Sequence, residues 1–462
     1  MKRAENQVNK GCPCEDRLET EGTVGARSGV SLARTEESGA VSLLALVLER
    51  NNLNRAYKRV KANKGAPGID GMTVEELLPF LKAHGGELVA SISLGTYHPQ
   101  PVKRVEIPKP DGGKRQLGIP TMVDRMIQLA IAQVLEPIFE PTFSDSSYGF
   151  RPNRSAHQAI RKAKEYYDAG YTCVVDIDLE KYFDTVNHDL LINMLREKVK
   201  DEKLISLIRK YLKSGVMLNG VTRPTREGTP QGGNLSPLLS NIYLTKFDRM
   251  LEERGHKFVR YADDCNIYVK SQRAAERVMS SCTNYLEKKL KLRVNRAKSQ
   301  TGSPLKLKFL GFSLYKNKSG SGIRPHGKSL KRLKSRLKHI TRRNRGVSVD
   351  AIFEQLRRYI TGWLGYYSIA GMSNSLKQLS EWLRSRIRMY VWKQWKRVKT
   401  RFSRLKGLGI PEDYAWQWAN TRKGYWRTAN SPILKRVLTI ERLADRGMPN
   451  ILQRYEALHS NY

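Results

Sequence analysis

The sequence predicts an α+β fold that is followed by a helical C-terminal region. Between about residues 41 and 325, helical patterns and short β-rich runs alternate irregularly, which is typical of an α+β domain rather than a regular parallel-sheet repeat. Between 328 and 406, three stretches carry apolar residues at helical spacing. A chain of 462 residues has room for about three domains.

The composition indicates a globular nucleic-acid-binding protein. The hydrophobic fraction of 40% supports real cores, and 83 Lys and Arg against 44 acids give a net charge of +39. A charge that large repels itself unless an anionic partner neutralises it, and nucleic acid is the usual partner. An anionic membrane surface is the alternative. The longest apolar run near the N-terminus, residues 41–48, is too short to span a bilayer, so we expect no membrane partner.

The first segment of the chain is expected to be a flexible leader. Residues 1–40 are rich in Gly, Ser, Glu, Asn and Thr and lack apolar periodicity. Cys12 and Cys14 lie in it, but without a second cysteine pair we favour no metal site there. Cys173 and Cys265 fall in β-rich runs and are expected to be buried free thiols, which fits a reducing, cytoplasmic compartment.

The next elements follow in order along the chain. Apolar residues at helical spacing begin at about 41 and continue to Val60, and the Gly- and Pro-rich stretch 63–71 predicts a loop. Residues 102–120 read as a β-hairpin with its turn at 110–113. The pattern over 124–139 predicts a helix.

Three aspartates on predicted strands carry the strongest chemical signal. Asp263 and Asp264 lie at the joint of two short β-rich runs, and Asp178 ends another such run that starts at residue 172. Neighbouring carboxylates repel, and a divalent cation removes that cost. Hard oxygen ligands suit Mg²⁺, so the sequence predicts a magnesium site that handles phosphates. Asp176 shares strand-face parity with Asp178, so the strand pattern alone leaves both acids open.

The region from 328 to 406 is strongly basic. It holds 22 Lys and Arg and three acids, a net charge of +19. Three amphipathic helices are predicted there, and aromatic residues are interleaved with the cations. Such a combination suits stacking and backbone contacts on a nucleic acid, although several of the tryptophans must fill the helical core. The aromatic residues are Trp363, Tyr366, Tyr367, Trp382, Trp392 and Trp395.

Two motifs resemble the catalytic motifs of reverse transcriptases. They are Asp-Leu-Glu-Lys-Tyr-Phe-Asp at 178–184 and Tyr-Ala-Asp-Asp at 261–264. Further matches follow in the family's order, and together the series resembles the reverse transcriptase/maturase proteins encoded by bacterial group II introns. The further motifs are at 107–110, 117–120, 147–152, 228–237, 309–312 and 362–366.

The resemblance implies a right-hand polymerase. Residues 41–325 would form the fingers and palm with an antiparallel sheet, and 326–408 an α-helical thumb or maturase domain. Residues 409–462 would be a small basic DNA-binding-like extension. Nothing after 410 resembles the nuclease domain of many relatives, so the chain looks like the compact class C proteins and is not expected to cut DNA itself.

The resemblance also implies the activity and its partners. The protein would be an RNA-directed DNA polymerase that adds dNTPs to a primer 3′-hydroxyl with two Mg²⁺ ions. It would also act as a maturase that binds group II intron RNA during splicing and intron mobility. Its partners would be the intron RNA, an RNA template with a DNA primer, dNTPs and target DNA, in the bacterial cytoplasm at the nucleoid.

The family pattern selects residues for each role. Asp178, Asp263 and Asp264 would be the catalytic, metal-binding acids, since the family places its metal acid six residues before Asp184. The dNTP would be bound by Lys109 and Arg115 on facing hairpin arms, by Phe183 as a steric gate against a 2′-hydroxyl, and by Gln231. Lys298 would protonate pyrophosphate or simply bind phosphate. The expected nucleic-acid contacts are Arg151, Arg336, Arg343, Arg384, Arg388, Lys396 and Arg422.

Two other functions stay open at this point. An RNA-binding splicing cofactor without polymerase activity would not need the acids, Phe183 and Gln231. A domesticated reverse transcriptase working in phage defence or sequence diversification would not need the maturase-like residues at 328–400. Both are therefore less favoured.

Overall fold

The computed structural model describes residues 42–108, 112–218, 221–223, 227–229 and 232–460. The predicted leader with Cys12 and Cys14, and the tip of the predicted hairpin, lie outside the described residues. Contacts divide the chain into two compact units, with the boundary between Leu310 and Gly311.

The first unit contains ten α-helices within its described residues, and the helices predicted near 41–60 and 124–139 are confirmed. They are α1 (Leu43–Leu48), α2 (Arg50–Asn63), α3 (Val74–Ser93), α4 (Met122–Phe139), α5 (Ala156–Asp168), α6 (Tyr182–Thr185), α7 (His188–Arg196), α8 (Glu202–Lys213), α9 (Ser236–Glu253) and α10 (Gln272–Lys288).

The described strands of the first unit form two four-stranded sheets. The strands are β1 (Val102–Pro108), β2 (Lys114–Ile119), β3 (Cys173–Ile177), β4 (Val216–Leu218), β5 (Val221–Arg223), β6 (Lys257–Tyr261), β7 (Asp264–Val269) and β8 (Gln300–Gly302). One sheet has the order β2-β1-β4-β5 and contains the predicted hairpin. The other has the order β6-β7-β3-β8, and all its pairs are antiparallel.

One continuous apolar core joins the second sheet to the helices. Ile127 of α4, Leu191 of α7, Leu204 of α8 and Ile242 of α9 are buried in the same cluster as Ile267 of β7. The residues at i, i+3 and i+4 of these helices supply the apolar stripe, so burial rather than intrinsic propensity fixes them against the sheet. The sheet that carries the acidic residues is thus packed against these helices.

The second unit is a β-hairpin followed by helices. Its elements are β9 (Phe312–Asn317), β10 (Gly320–Pro325), α11 (Gly327–Ile340), α12 (Val349–Tyr367), α13 (Ser373–Gln394), α14 (Val398–Gly407), α15 (Glu412–Ala419), α16 (Tyr425–Ala429), α17 (Pro432–Val437), α18 (Ile440–Asp445) and α19 (Ile451–His459). The three predicted basic helices are confirmed as α11, α12 and α13.

The last helix completes the core of this unit. α19 packs against α12 and α13. The buried Tyr455 hydroxyl donates to the carbonyl oxygen of Ala370 at 2.8 Å and accepts from the amide of Met372 at 3.3 Å. In both units, no helix within the described ranges is long and apolar enough to cross a membrane.

Candidate active site

The two adjacent aspartates lie at a tight turn between β6 and β7. Tyr261 pairs with Asp264, so Ala262 and Asp263 form a two-residue hairpin loop. Ala262 has φ +57°, the left-handed conformation that the first residue of such a loop adopts. The acids therefore stand at the end of the sheet, as the sequence predicted.

The sheet register brings the third aspartate to the same place. β3 and β7 are antiparallel neighbours, and Ile177 pairs with Cys265. One step further along this ladder, Asp178 comes next to Asp264. The backbone of Asp178 is fixed from the other side, because its amide donates to Ser299 Oγ at 3.0 Å and its carbonyl accepts from the amide of Asn295 at 2.8 Å.

The acids lie close enough to perturb one another. Burial raises the pKa of the Asp263 carboxyl, and repulsion from Asp178 raises it further. Burial also raises the pKa of Asp264 well above its ordinary value, with repulsion from Asp176, Asp263 and Asp178 added. Among the described residues, no Lys, Arg or His forms an ion pair with Asp178, Asp263 or Asp264. A bound cation would lower the electrostatic cost of this cluster.

A magnesium site is consistent with these donors. Within the described ranges, no three His, Cys, Asp or Glu side chains are already gathered closely enough to hold a metal ion. The acids nevertheless supply the hard carboxylate oxygens that Mg²⁺ prefers, and Mg²⁺ completes its shell with water and substrate phosphates.

Asp176 is held differently from Asp178. Its Oδ1 accepts from Asn266 Nδ2 at 3.0 Å and its Oδ2 accepts from Gln300 Nε2 at 3.3 Å. Both carboxylate oxygens are thus engaged by amides on the neighbouring strands. This observation favours Asp178 as the acid available to a metal, on grounds independent of the family spacing.

A buried ion pair beneath the turn was not found from the sequence. Arg260 is 1% exposed and Asp248 is 0% exposed, and the guanidinium donates to both carboxylate oxygens, at 2.7 and 2.5 Å. Arg260 also donates to Asn241 Oδ1 at 3.0 Å and to the carbonyl oxygen of Ala262 at 2.9 Å. The pair therefore anchors the acidic turn directly to α9.

The motif at 147–152 supports the same turn from its other side. The amide of Tyr148 donates to the carbonyl of Arg260 at 2.8 Å. Gly149 lies so close to the turn that a Cβ there would collide with the amide nitrogen of Ala262 and stand 2.9 Å from the carbonyl carbon of Tyr261. Only glycine permits this approach.

The expected steric gate is linked to the glycine-rich loop. Phe183 is half-buried, and its carbonyl accepts from the amide of Thr229 at 2.6 Å. His188 Nε2 donates to the carbonyl of Gly228 at 2.6 Å, and burial lowers the pKa of this imidazole, which keeps it neutral. His188 is a second supporting residue that sequence reasoning missed.

The residues expected at the dNTP are only partly described. Arg115 is exposed on β2 opposite Ile107, and its charge lowers the pKa of Asp263 against the larger effect of burial. Lys109 and Gln231 lie outside the described residues. Lys298 is exposed, and none of the described side-chain contacts ties it to the acids. Lys308, which the sequence analysis overlooked, lowers the pKa of Asp264 and so lies near the cluster.

The arginines expected on nucleic acid fall into two classes. Arg151 is 9% exposed and its guanidinium is engaged by Glu140 at 2.8 Å and by the carbonyl of Ser147 at 2.8 Å. Arg388 is 7% exposed and donates to the carbonyl of Leu438 at 3.1 Å. These contacts favour structural roles for both residues. Arg384 is half-buried, and the exposed members of the set are Arg336, Arg343, Lys396 and Arg422.

Comparisons with known proteins decide the family. Residues 107–314 match a family model described as reverse transcriptase (RNA-dependent DNA polymerase), and 330–409 match the maturase-specific domain of group II introns. The chain is also 37% identical over 298 residues to Protein YkfC of Escherichia coli, covering 56% of this chain and 78% of that protein. The chain belongs to the group II intron reverse transcriptase/maturase family.

Other similar proteins of this family are matched over smaller shares of their length. The group II intron-encoded protein LtrA of Lactococcus lactis is 42% identical over 206 residues, which are 44% of this chain and 34% of LtrA. A putative COX1/OXI3 intron 2 protein of Saccharomyces cerevisiae is 36% identical over 216 residues, covering 46% of this chain and 25% of that protein. The group II intron reverse transcriptase/maturase described here thus spans about a third or less of these two relatives.

Proposed function

We propose that the protein is an RNA-directed DNA polymerase that extends a primer 3′-hydroxyl with dNTPs and also binds group II intron RNA as a maturase. The observation that carries the proposal is the convergence of Asp178, Asp263 and Asp264 at one end of a sheet in a chain of net charge +39. A protein that only bound RNA would gain nothing from placing three acids side by side at the end of a sheet.

Asp178 and Asp263 would hold two Mg²⁺ ions, with Asp264 beside them. Bound Mg²⁺ would lower the pKa of the primer hydroxyl and neutralise the leaving pyrophosphate. The chain itself supplies the placement. β3 and β7 hold the acids in register, while the Arg260–Asp248 pair and Gly149 hold the turn. Fixed backbone positions would lower the entropy that is lost when the metal and the triphosphate bind.

The incoming dNTP would lie between the hairpin β1–β2 and the acids. Arg115 would pair with the triphosphate, and its effect on the pKa of Asp263 supports this. Lys109, Gln231 and Lys298 are proposed to contact the triphosphate on the strength of the family pattern. Phe183 would lie beneath the sugar and exclude a 2′-hydroxyl. Arg115 suits this task because its guanidinium binds phosphate oxygens bidentately.

The second unit would bind the template–primer duplex and the intron RNA. We propose fingers and palm over 41–325, a thumb or maturase domain over 326–408 and a basic DNA-binding-like extension over 409–462. The contacts group the hairpin β9–β10 with the helices that follow it, so the unit boundary at 310 precedes the proposed domain boundary. Exposed Arg336, Arg343, Lys396 and Arg422 would contact phosphates. With about six to ten phosphate contacts, RNA affinity would fall by roughly 10³–10⁵ between 50 and 200 mM salt. Target DNA would be the further partner, in the bacterial cytoplasm.

The deciding experiment is primer extension on an RNA template with the Asp263→Ala variant. We expect cDNA synthesis to be abolished while intron RNA binding in a filter assay is retained, because the acids and the basic helices belong to different units. Undiminished extension by Asp263→Ala would falsify the assignment. Splicing of an intron RNA by the same protein preparation tests the proposed maturase activity. If the wild-type protein promotes splicing but does not extend a primer, the splicing-cofactor alternative is favoured.

A further inference from the structure

A concave pocket lies at the opposite end of the catalytic sheet from the acids. It has a volume of about 440 Å³ and opens beside the edge strand β6 and the helix α10. From Asp264 to Val269, strand β7 advances five residues, which is about 17 Å at 3.4 Å per residue. The pocket, which we call the β6–α10 pocket, is therefore separate from the active site. Its polar lining residues are Tyr171, His256, Lys257, Lys270, Arg277 and Ser281.

The charged residues that line this pocket are all cationic. Lys257, Lys270 and Arg277 line it, and no Asp or Glu is among its lining residues. All three cations are exposed, and none of them forms an ion pair with any acid that the structure describes. Like charges around one concavity repel, and an anion placed between them would relieve that repulsion.

Neutral donors accompany the cations. Burial lowers the pKa of His256, followed by the effect of nearby Arg254, so its ring is a neutral donor at pH 7. Ser281 accepts a hydrogen bond from Arg254 at 2.6 Å, so its own hydroxyl proton is free to be donated. The Lys270 ammonium lies 5.6 Å from the Tyr171 ring centre. Cations, an imidazole and hydroxyls are the groups that bind phosphate oxygens in proteins.

Two simpler explanations for these three cations account for only part of the observations. Lysine on an edge strand discourages pairing with another sheet, which would explain Lys257 alone. Unpaired cations are also common in a chain with 83 Lys and Arg. Neither explains why three of them surround one cavity whose size falls in the range of about 300–1,000 Å³ that is typical of ligand sites.

We propose that the β6–α10 pocket binds a sugar–phosphate unit, with its phosphate between Lys257, Lys270 and Arg277. A bare phosphate would leave most of the volume empty, so a nucleotide unit fits better. Its source is either a strand of RNA that extends beyond the active site or a free nucleotide. The site would add an RNA contact on the first unit, at the end of the sheet opposite the acids.

The test compares two double variants of the full chain with equal loss of charge. Lys257→Gln/Arg277→Gln removes two pocket cations. Lys288→Gln/Lys289→Gln is the control, because both residues are exposed at the end of α10 and do not line the pocket. Affinity for a short fluorescent single-stranded RNA is measured against salt concentration. Equal midpoints of thermal unfolding would show that both variants are folded. The binding measurement does not depend on whether the protein has polymerase activity.

We expect the slope of log affinity against log salt concentration to become shallower by about 0.7 in the pocket variant, because one phosphate contact is lost. The slope should change less in the control variant. A 4-thiouridine RNA should cross-link to peptides that contain Tyr171 or His256. Competition of that cross-link by AMP would identify a free nucleotide as the occupant, whereas resistance to AMP would identify the RNA strand. Identical salt slopes for the two variants, together with no cross-link at these peptides, would overturn the proposal.

Discussion

Gly149 lies directly against the backbone of Ala262, in the turn that carries Asp263. The contact joins two motifs that are more than a hundred residues apart in the chain. The Arg260 guanidinium also donates to the carbonyl oxygen of Ala262, so contacts on two sides restrain the turn. The position of the acids thus depends on a residue that has no side chain of its own.

Replacing Gly149 with Ala should therefore disable catalysis more than folding. The added Cβ pushes Ala262 and displaces Asp263, and a misplacement of about 1 Å can cost on the order of a hundredfold in rate. Primer-extension rates of Gly149→Ala measure the effect. Gly85→Ala is the control, since a Cβ there meets nothing within 4 Å. Equal activity of the two variants would contradict this reading of the contact.

The Arg260–Asp248 pair should be costly to break from either side. Arg260→Met leaves the fully buried Asp248 carboxylate unpaired, which costs about 3–5 kcal/mol. Urea unfolding of the first unit should show the loss, and Arg260→Met/Asp248→Leu should recover much of it. The exposed pair Arg196–Glu202 provides the control, and Glu202→Gln is expected to leave the urea midpoint nearly unchanged. A similar small effect for Arg260→Met would show that the turn does not need this anchor.

Binding of Mg²⁺ should strengthen as the pH rises. The folded-state pKa values of Asp263 and Asp264 are raised, chiefly by burial, so both carboxyls hold protons to a higher pH than an exposed aspartate. Without metal, the stability that these protonated groups contribute is lost as the pH rises through the raised values. Mg²⁺ binds the ionised form and restores stability there.

Thermal unfolding with and without Mg²⁺, at a series of pH values from the ordinary pKa of an aspartate upward, checks this expectation. The Mg²⁺-induced rise in melting temperature should grow as the pH increases, and Asp263→Asn should abolish most of it. A rise of the same size across the whole pH series in the wild-type chain would argue against these acids as the ligands.

Phe183→Ala should relax the choice of sugar. With the ring removed, a 2′-hydroxyl has space, so rNTP incorporation should rise relative to dNTP incorporation. The neighbouring Tyr182→Phe is the matched control, because it loses only a hydroxyl that donates to the Ser240 carbonyl at 3.0 Å. Single-nucleotide extension assays with both nucleotide types give the ratio. If that ratio stays unchanged in Phe183→Ala, the ring serves the core alone.

The sequence was sufficient for the local elements and for the acids. The hairpin at 102–120, the helices and the position of Asp263 at a strand joint follow from patterns within about twenty residues, which is the range over which periodicity and turn chemistry act. The register that brings Asp178 beside Asp264 joins strands that are far apart in the chain. Only the family resemblance gave that pairing in advance.

Supporting residues could not be found in the same way. Asp248 and Arg260 are both ordinary charged residues until the fold buries them together. Arg151 and Arg388 were expected to contact nucleic acid for the same reason. In a chain with 83 Lys and Arg, the neighbouring sequence does not distinguish a buried cation from an exposed one.

The packing of α19 against α12 and α13 has a consequence for synthesis on the ribosome. The unit that contains the acids has all its segments once residue 310 has emerged, so it can fold while translation continues. The other unit must wait for Tyr455 to fill its place beneath Ala370. In a nascent chain, the sheet that carries the acids would therefore be folded before the helical unit can bind RNA tightly.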